Sequence, residues 1–89
     1  SLTGDASVVK VTVQPNAPIA GRTLGAAGRQ DILGSDTLVI AIERGDEELT
    51  PHGETVVRPD DIVTVLSRGE DGDALSTFRA DEAEFRNTR

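Results

Sequence analysis

Residues 15–24, PNAPIAGRTL, interrupt an alternating apolar run early in the chain and decide how the chain folds after it. Pro15 and Pro18 fix the backbone φ angle and lack an N–H donor, so the strand cannot continue through them. Gly21 permits a backbone angle or a close approach that a side chain would exclude. We therefore expect a shaped bend with Leu24 packed into the core, and a structural role is favoured over a role as a ligand-binding loop.

The residues on either side of this bend predict a strand and then a short helix. The preceding segment VVKVTVQ, residues 8–14, alternates with a period of two, which predicts a strand with one buried face. That face consists of Val9, Val11 and Val13. After the bend, Thr23 is placed to cap a short helix that carries Leu24 and Ala27, and a loop is expected to follow.

The middle of the chain predicts a β-hairpin. Residues 38–42, LVIAI, are five consecutive apolar residues, which favours a central strand covered on both faces. The dipeptide Gly45-Asp46 suits a tight turn with positive φ. Residues 47–50 are therefore expected to return as a short strand against residues 38–42.

The last part of the chain predicts one more strand and a helix. Residues 62–66 form the strand, with Val63 and Val65 on one face. Asp73 is a candidate N-cap for a C-terminal helix whose apolar side carries Leu75, Phe78 and Phe85. The sequence thus predicts an α+β fold: a small mixed or antiparallel sheet of about four strands, a short helix after strand 1 and a C-terminal helix.

Size and charge limit what this domain can bind. The 89 residues make one domain with a small core, and association into a dimer would bury surface that one copy cannot. The net charge is -7 and the nine basic residues do not cluster, so nucleic acid and anionic lipid are excluded as partners. No apolar run approaches the roughly 20 residues that span a bilayer, so direct membrane insertion is not expected.

The residue types also argue against enzymatic activity and suggest a halophilic source. The chain has no cysteine, and its only histidine, His52, has no nucleophile motif near it, so no enzymatic activity is expected. Eight of the nine basic residues are arginine on an acidic chain, from which we hypothesise a halophilic source. Residues 1–7 have no periodicity and are interpreted as a linker or remnant, residues 8–86 as the domain, and residues 87–89 as a tail.

Three segments in this order resemble one known family. They are PNAPIAGRTL at 15–24, LVIAIERGDEELTP at 38–51 and ETVVRPDDIVTVLSRGED at 54–71. Together they resemble the C-terminal domain of regulators of potassium conductance (RCK), also called the TrkA-C domain. The family usually has Gly where this chain has Asp60, before Asp61. We expect the turn to persist, because Asp tolerates left-handed backbone better than most residues.

The resemblance implies a cytoplasmic regulatory domain attached to a potassium channel or uptake system, an antiporter or a prokaryotic chloride channel. It also implies a homodimer whose partners are the membrane domain of the parent protein and a small effector, either a cyclic dinucleotide or a divalent cation. No resident cofactor is expected, because the family's nicotinamide or adenine nucleotide binds to a separate N-terminal domain. The alternative is a purely structural dimerisation module without ligand binding.

The resemblance also places a ligand site beside the hairpin. The matching positions are Ile42, Arg44, Leu49, Thr50, Pro51 and His52. Arg44 is suited to bind a phosphate through two parallel hydrogen bonds, but nearby carboxylates would repel a dianion. The alternative is that Arg44 pairs with these acidic neighbours.

Clustered carboxylates make a divalent-cation site a second hypothesis. The acidic residues fall into two groups, Asp46, Glu47 and Glu48 in the hairpin and Glu70, Asp71 and Asp73 before the predicted C-terminal helix. Neither group has EF-hand spacing. The alternative, that they are solvated acids on a salt-adapted surface, is favoured.

Overall fold

The computed structural model describes residues 6–68 and 75–79. The elements are β1 (Ser7–Thr12), α1 (Leu24–Arg29), β2 (Thr37–Arg44), β3 (Glu47–Leu49) and β4 (Ile62–Ser67). The four strands form one antiparallel sheet in the order β1-β4-β2-β3. The predicted order of strand, short helix and three strands is confirmed. Most of the predicted C-terminal helix, with Asp73 and Phe85, lies outside the described residues.

One face of the sheet carries the core. Side chains of β1 alternate between half-buried and exposed, and Val63 and Val65 of β4 have no exposed surface, as their shared face predicts. Thr23 caps α1 by accepting a hydrogen bond from the Ala26 N–H, which confirms the predicted cap. The buried cluster consists of Val13, Ala17, Ile19, Ala27, Val39, Ile42, Val57, Val63, Val65 and Phe78.

The expectation that β2 is covered on both faces is wrong, although the strand does lie inside the sheet between β4 and β3. Leu38 is 58% exposed and Ile40 is 44% exposed, and a bulge interrupts the register between Val39 and Ala41. A run of apolar residues does not show which face of the strand packs against other elements. Here the buried cluster collects on the opposite face of the sheet.

The bend after β1 holds the segment that leads into β4. Gly21 has φ 87, which confirms the predicted unusual backbone angle. Its N–H donates to the Val57 carbonyl at 2.7 Å, and the Val57 N–H donates to the Arg22 carbonyl at 2.9 Å. An isolated bridge between Thr23 and Val56 extends this pairing. The bend therefore has the structural role that its prolines and glycine predict.

Asp60 occupies the left-handed region with φ 74, as expected for the position where the family usually has glycine. Its N–H donates to the Val13 carbonyl at 2.8 Å, so the turn is fixed from both sides. Left-handed backbone costs a residue with a Cβ about 1 kcal/mol. Asp60→Gly is therefore expected to raise the free energy of unfolding by about 0.5 kcal/mol, after the added flexibility of the unfolded chain is subtracted.

Urea denaturation of Asp60→Gly and of Asp60→Val measures this effect. The β-branched variant is expected to lose about 1 kcal/mol or more, because valine tolerates left-handed backbone poorly. A loss of stability in the glycine variant would contradict the prediction, since it would mean that the Asp60 carboxylate contributes more than the backbone strain removes.

Candidate functional site

The centre of the candidate site is a buried ion pair between the end of β2 and the residue before β4. Arg44 donates to Asp61 twice, from Nε to Oδ1 at 2.9 Å and from Nη2 to Oδ2 at 2.8 Å. The Asp61 side chain is 1% exposed and the Arg44 side chain is 30% exposed. Two parallel charge-assisted hydrogen bonds of this kind fix the guanidinium in one orientation.

Two backbone groups complete the arrangement. Arg44 Nη2 also donates to the Val56 carbonyl at 2.8 Å, and the Arg58 N–H donates to Asp61 Oδ2 at 2.9 Å. The ion pair thereby joins β2, the residue 56–58 segment and the start of β4. The Arg44 guanidinium thus donates three hydrogen bonds within the domain itself.

The surroundings of Asp61 favour its charged form. Burial alone raises the pKa of this carboxyl, but the hydrogen bonds from Arg44 and from the Arg58 N–H outweigh it, and the pKa lies below its ordinary value. The hydrogen bond to Asp61 raises the pKa of Arg44 in turn. A carboxyl whose pKa is lowered on folding stabilises the fold above its unfolded pKa of about 3.9 and loses that contribution as the pH falls through the folded value.

The structure changes one of the two roles considered for Arg44, its pairing with acidic neighbours, and the phosphate-binding role stays a prediction. The residue pairs with Asp61, 17 positions away, and not with the hairpin acids beside it. Its Nη1 group is the part of the guanidinium that makes no hydrogen bond to the described residues. Any anion that binds to Arg44 in this arrangement would meet Nη1.

The other predicted ligand residues are distributed over the hairpin and the loop that follows it. Ile42 and Leu49 are cross-strand partners, but Ile42 has no exposed surface and belongs to the core. Thr50 and His52 are exposed and Pro51 is half-buried. The accessible part of the predicted site is therefore Leu49 to His52, next to the buried side chain of Ile42.

The loop that carries His52 is ordered by its own turn and by α1. The His52 N–H donates to Thr55 Oγ1 at 2.9 Å, and the Thr55 N–H donates back to the His52 carbonyl at 3.0 Å. The Gly25 N–H at the start of α1 donates to the Gly53 carbonyl at 2.8 Å, and a Cβ on Gly25 would lie 3.1 Å from that oxygen. Gly25 thus permits a close approach that the sequence analysis did not identify.

The first acidic group is spread over an exposed hairpin. Gly45 has φ 60, the positive angle expected at this turn, and Glu47 and Glu48 point to opposite faces because they are adjacent in β3. Within residues 6–68 and 75–79, no three His, Cys, Asp or Glu side chains are grouped to hold a metal ion. The second group, Glu70, Asp71 and Asp73, lies outside the described residues.

The fold is similar to that of a solved RCK domain. A solved structure titled "Crystal Structure of the GsuK RCK domain" superposes with a TM-score of 0.65 at 23% sequence identity, which shows a shared fold. The match covers 89% of this chain and 17% of that chain. The family model of the TrkA-C domain matches residues 8–78. The chain therefore belongs to the TrkA-C domain family, as its motifs predict.

Two further findings concern related proteins and membrane spans. No curated protein matches the chain. Among the described residues, none of the helices has the length and apolar character that a bilayer crossing requires.

Proposed function

We propose that this chain is a cytoplasmic regulatory module of a prokaryotic ion channel or transporter, for potassium or for chloride. The observation that carries the proposal is the TrkA-C match over residues 8–78. The module acts as a homodimer and has no chemistry of its own. An effector that binds more tightly to one arrangement of the dimer than to another shifts the attached membrane domain towards the state that it favours.

The effector in this proposal is a cyclic dinucleotide that binds along Leu49 to His52 and reaches Nη1 of Arg44. The contacts of Arg44 support a coupling from this site into the domain, because the same guanidinium is bonded to Asp61 and to the Val56 carbonyl. A phosphate at Nη1 would therefore act on a group that joins two strands and a loop. A divalent cation is the second effector class, at the acidic groups.

A purely structural dimerisation module is the second candidate function. The observation that favours it is that Arg44 Nε and Nη2 are already occupied by Asp61 and by the Val56 carbonyl. Exposed carboxylates of the hairpin would in addition repel a dianionic ligand at short range. In that case the fold would hold two membrane subunits together without sensing anything.

A thermal-shift panel in molar KCl separates these candidates, and the salt matches the proposed halophilic source. Ca²⁺, Mg²⁺, cyclic dinucleotides and mononucleotides are added one at a time. A ligand at 100 times its dissociation constant adds about 2.7 kcal/mol, or on the order of 10 °C in a domain of this size. We expect a shift with a cyclic dinucleotide and none with a mononucleotide.

Two variants make this panel specific to the proposed site. Thr50→Ala and His52→Ala alter exposed side chains of the loop and are expected to reduce the cyclic dinucleotide shift while the unliganded melting temperature stays within about 2 °C of the wild type. A Ca²⁺ shift without a nucleotide shift would move the site to the acidic groups. No shift with any ligand would leave the structural module as the function.

A further inference from the structure

Residues 75–79 begin as a helical turn and pack on the bend that follows β1. The Gln14 N–H donates to the Phe78 carbonyl at 2.9 Å, and the Ile19 N–H donates to the Thr77 carbonyl at 3.2 Å. We call residues 75–79 the latch. These two hydrogen bonds are its backbone contacts with the bend.

The side chain of Phe78 anchors the latch. Phe78 has no exposed surface and belongs to the same buried cluster as Val13, Ala17 and Ile19. A buried aromatic ring removes about 150–250 Å² of surface from water. The docked position of the latch thus depends on one large apolar anchor and two backbone hydrogen bonds.

A buried hydroxyl in the latch opposes this docking. Thr77 is 7% exposed, and its Oγ1 atom is buried without a hydrogen-bond partner among the described residues. The same hydroxyl is hydrogen-bonded to water when it is exposed, so its burial without a partner is unfavourable. Within residues 6–68 and 75–79, no other buried side chain carries this penalty.

The latch docks one residue away from the contacts that position the candidate site. Gln14 follows Val13, whose N–H donates to the Asp61 carbonyl at 2.9 Å and whose carbonyl accepts from the Asp60 N–H at 2.8 Å. Asp61 is the buried partner of Arg44. Displacement of the Gln14 backbone would therefore act on the residue that is bonded to Asp61.

We propose that the latch is a releasable regulatory element, which undocks as a unit while the sheet stays folded and thereby loosens the backbone around Asp61. Segments with few contacts open at a lower free energy than global unfolding requires. Coupling between two sites is reciprocal, so a ligand that favours the ordered Arg44–Asp61 pair also favours the docked latch. Only this last consequence rests on the proposed function.

Amide hydrogen exchange followed by NMR tests the release in the unliganded domain. Release frees the N–H groups of Gln14 and Ile19, whereas the Val57 N–H keeps its hydrogen bond to the Arg22 carbonyl. After correction for intrinsic rates, Gln14 and Ile19 are expected to exchange at least tenfold faster than Val57. One common rate for all three would overturn the proposal, because the latch would then open only in global unfolding.

Thr77→Val tests whether the buried hydroxyl sets the release. This variant removes the unpartnered group with little change in side-chain shape, so exchange of Gln14 and Ile19 is expected to slow by about tenfold. Thr77→Ser keeps the hydroxyl and should slow neither amide. An unchanged rate in Thr77→Val, or the same slowing in Thr77→Ser, would overturn the proposal, because the hydroxyl would then not control the opening.

Thr23→Ala is the matched control outside the latch. It removes the hydroxyl that accepts from the Ala26 N–H at the start of α1, and it destabilises the docked and released forms alike. Exchange of Val57 is expected to rise several-fold, while Gln14 and Ile19 stay within about twofold of the wild type. Equal acceleration of all three amides would overturn the release of the latch as a separate unit.

The link to the ion pair has a readout of its own in the Asp60 N–H, which is bonded to the Val13 carbonyl. If release loosens this contact, Asp60 exchanges faster than Val57, slows in Thr77→Val and is unchanged in Thr23→Ala. An Asp60 rate that does not respond to Thr77→Val would overturn the link. A rate that follows Val57 in Thr23→Ala would overturn it as well.

The outcome of these experiments is independent of the ligand panel. Exchange is measured without a ligand, so failure of the latch proposal leaves the binding of an effector open to the thermal-shift test. Conversely, a domain without any thermal shift can still release its latch. Failure of the latch and failure of the regulatory function are therefore distinguishable.

Discussion

Arg44→Ala is expected to lower the free energy of unfolding by about 3 kcal/mol, because it leaves the Asp61 carboxylate buried and unpaired. Asp61 is 1% exposed, and two of the three hydrogen bonds that its carboxylate accepts come from Arg44. Domains of this size shift by roughly 4–8 °C per kcal/mol, so the melting temperature should fall by on the order of 10–20 °C. Urea and thermal denaturation measure both quantities.

Two further variants separate the ion pair from simple loss of side-chain packing. Arg44→Lys keeps the charge without the paired geometry and should lose less than Arg44→Ala. The double variant Arg44→Ala with Asp61→Asn should lose less than the sum of the single changes, because it removes the unpaired charge. If Arg44→Ala lowers the free energy of unfolding by less than about 1 kcal/mol, water must hydrogen-bond to the Asp61 carboxylate in place of Arg44.

The acid dependence of Arg44→Ala follows from the lowered pKa of Asp61. The carboxylate stabilises the wild type above the unfolded pKa of about 3.9, and this contribution disappears as the pH falls through the lower folded pKa. The stability difference between wild type and Arg44→Ala should therefore narrow in acid, because Asp61 takes up a proton more readily in the variant, where Arg44 no longer offsets the effect of burial on its pKa. A difference that widens in acid would contradict the assignment.

The ion pair also changes how a binding experiment is interpreted. If Arg44→Ala loses a ligand response, the cause is either a missing phosphate contact or a disordered segment around Val56 and Asp61. The loop variants Thr50→Ala and His52→Ala avoid this ambiguity, because their side chains are exposed. A sensor should lose its response in these variants while its fold remains intact.

Local physics made much of the fold predictable. The alternation in residues 8–14, the cap at Thr23 and the turn at Gly45 each depend on residues that are close in sequence, and each occurs in the structure. The left-handed angle of Asp60 was expected because the family usually has glycine at this position and Asp tolerates such backbone better than most residues. The family resemblance connected these pieces in order.

The pairing of Arg44 with Asp61 could not be predicted from residues that are close in sequence. Four acids lie within four positions of it, whereas Asp61 is 17 residues away. The register between β2 and β4 decides the pairing. Glu43 lies opposite Ile62 in this antiparallel pair, and Arg44 therefore lies beside Asp61. A single sequence contains no direct record of strand register, so proximity along the chain favoured the wrong acids.

Phe78→Ala is expected to lower the free energy of unfolding by about 3–5 kcal/mol, the range for deleting a buried aromatic ring. Phe78 has no exposed surface and is the largest of the fully buried side chains. Its carbonyl accepts a hydrogen bond from the Gln14 N–H at 2.9 Å, so the segment after β4 packs against the bend that follows β1. The ring belongs to the same buried cluster as Val13 and Ile19, so its loss would remove packing on both sides of that bend.

Leu38→Ala is the matched control for Phe78→Ala. Leu38 is apolar and lies in the sheet, but it is 58% exposed on the face opposite the core, so its truncation should lower the free energy of unfolding by less than about 1 kcal/mol. Urea denaturation of both variants makes this comparison. Equal losses from both variants would contradict the one-sided core, because they would mean that Leu38 is as well packed as Phe78. A large loss from Phe78→Ala alone would show that the stability of the fold depends on the face of the sheet that carries the core.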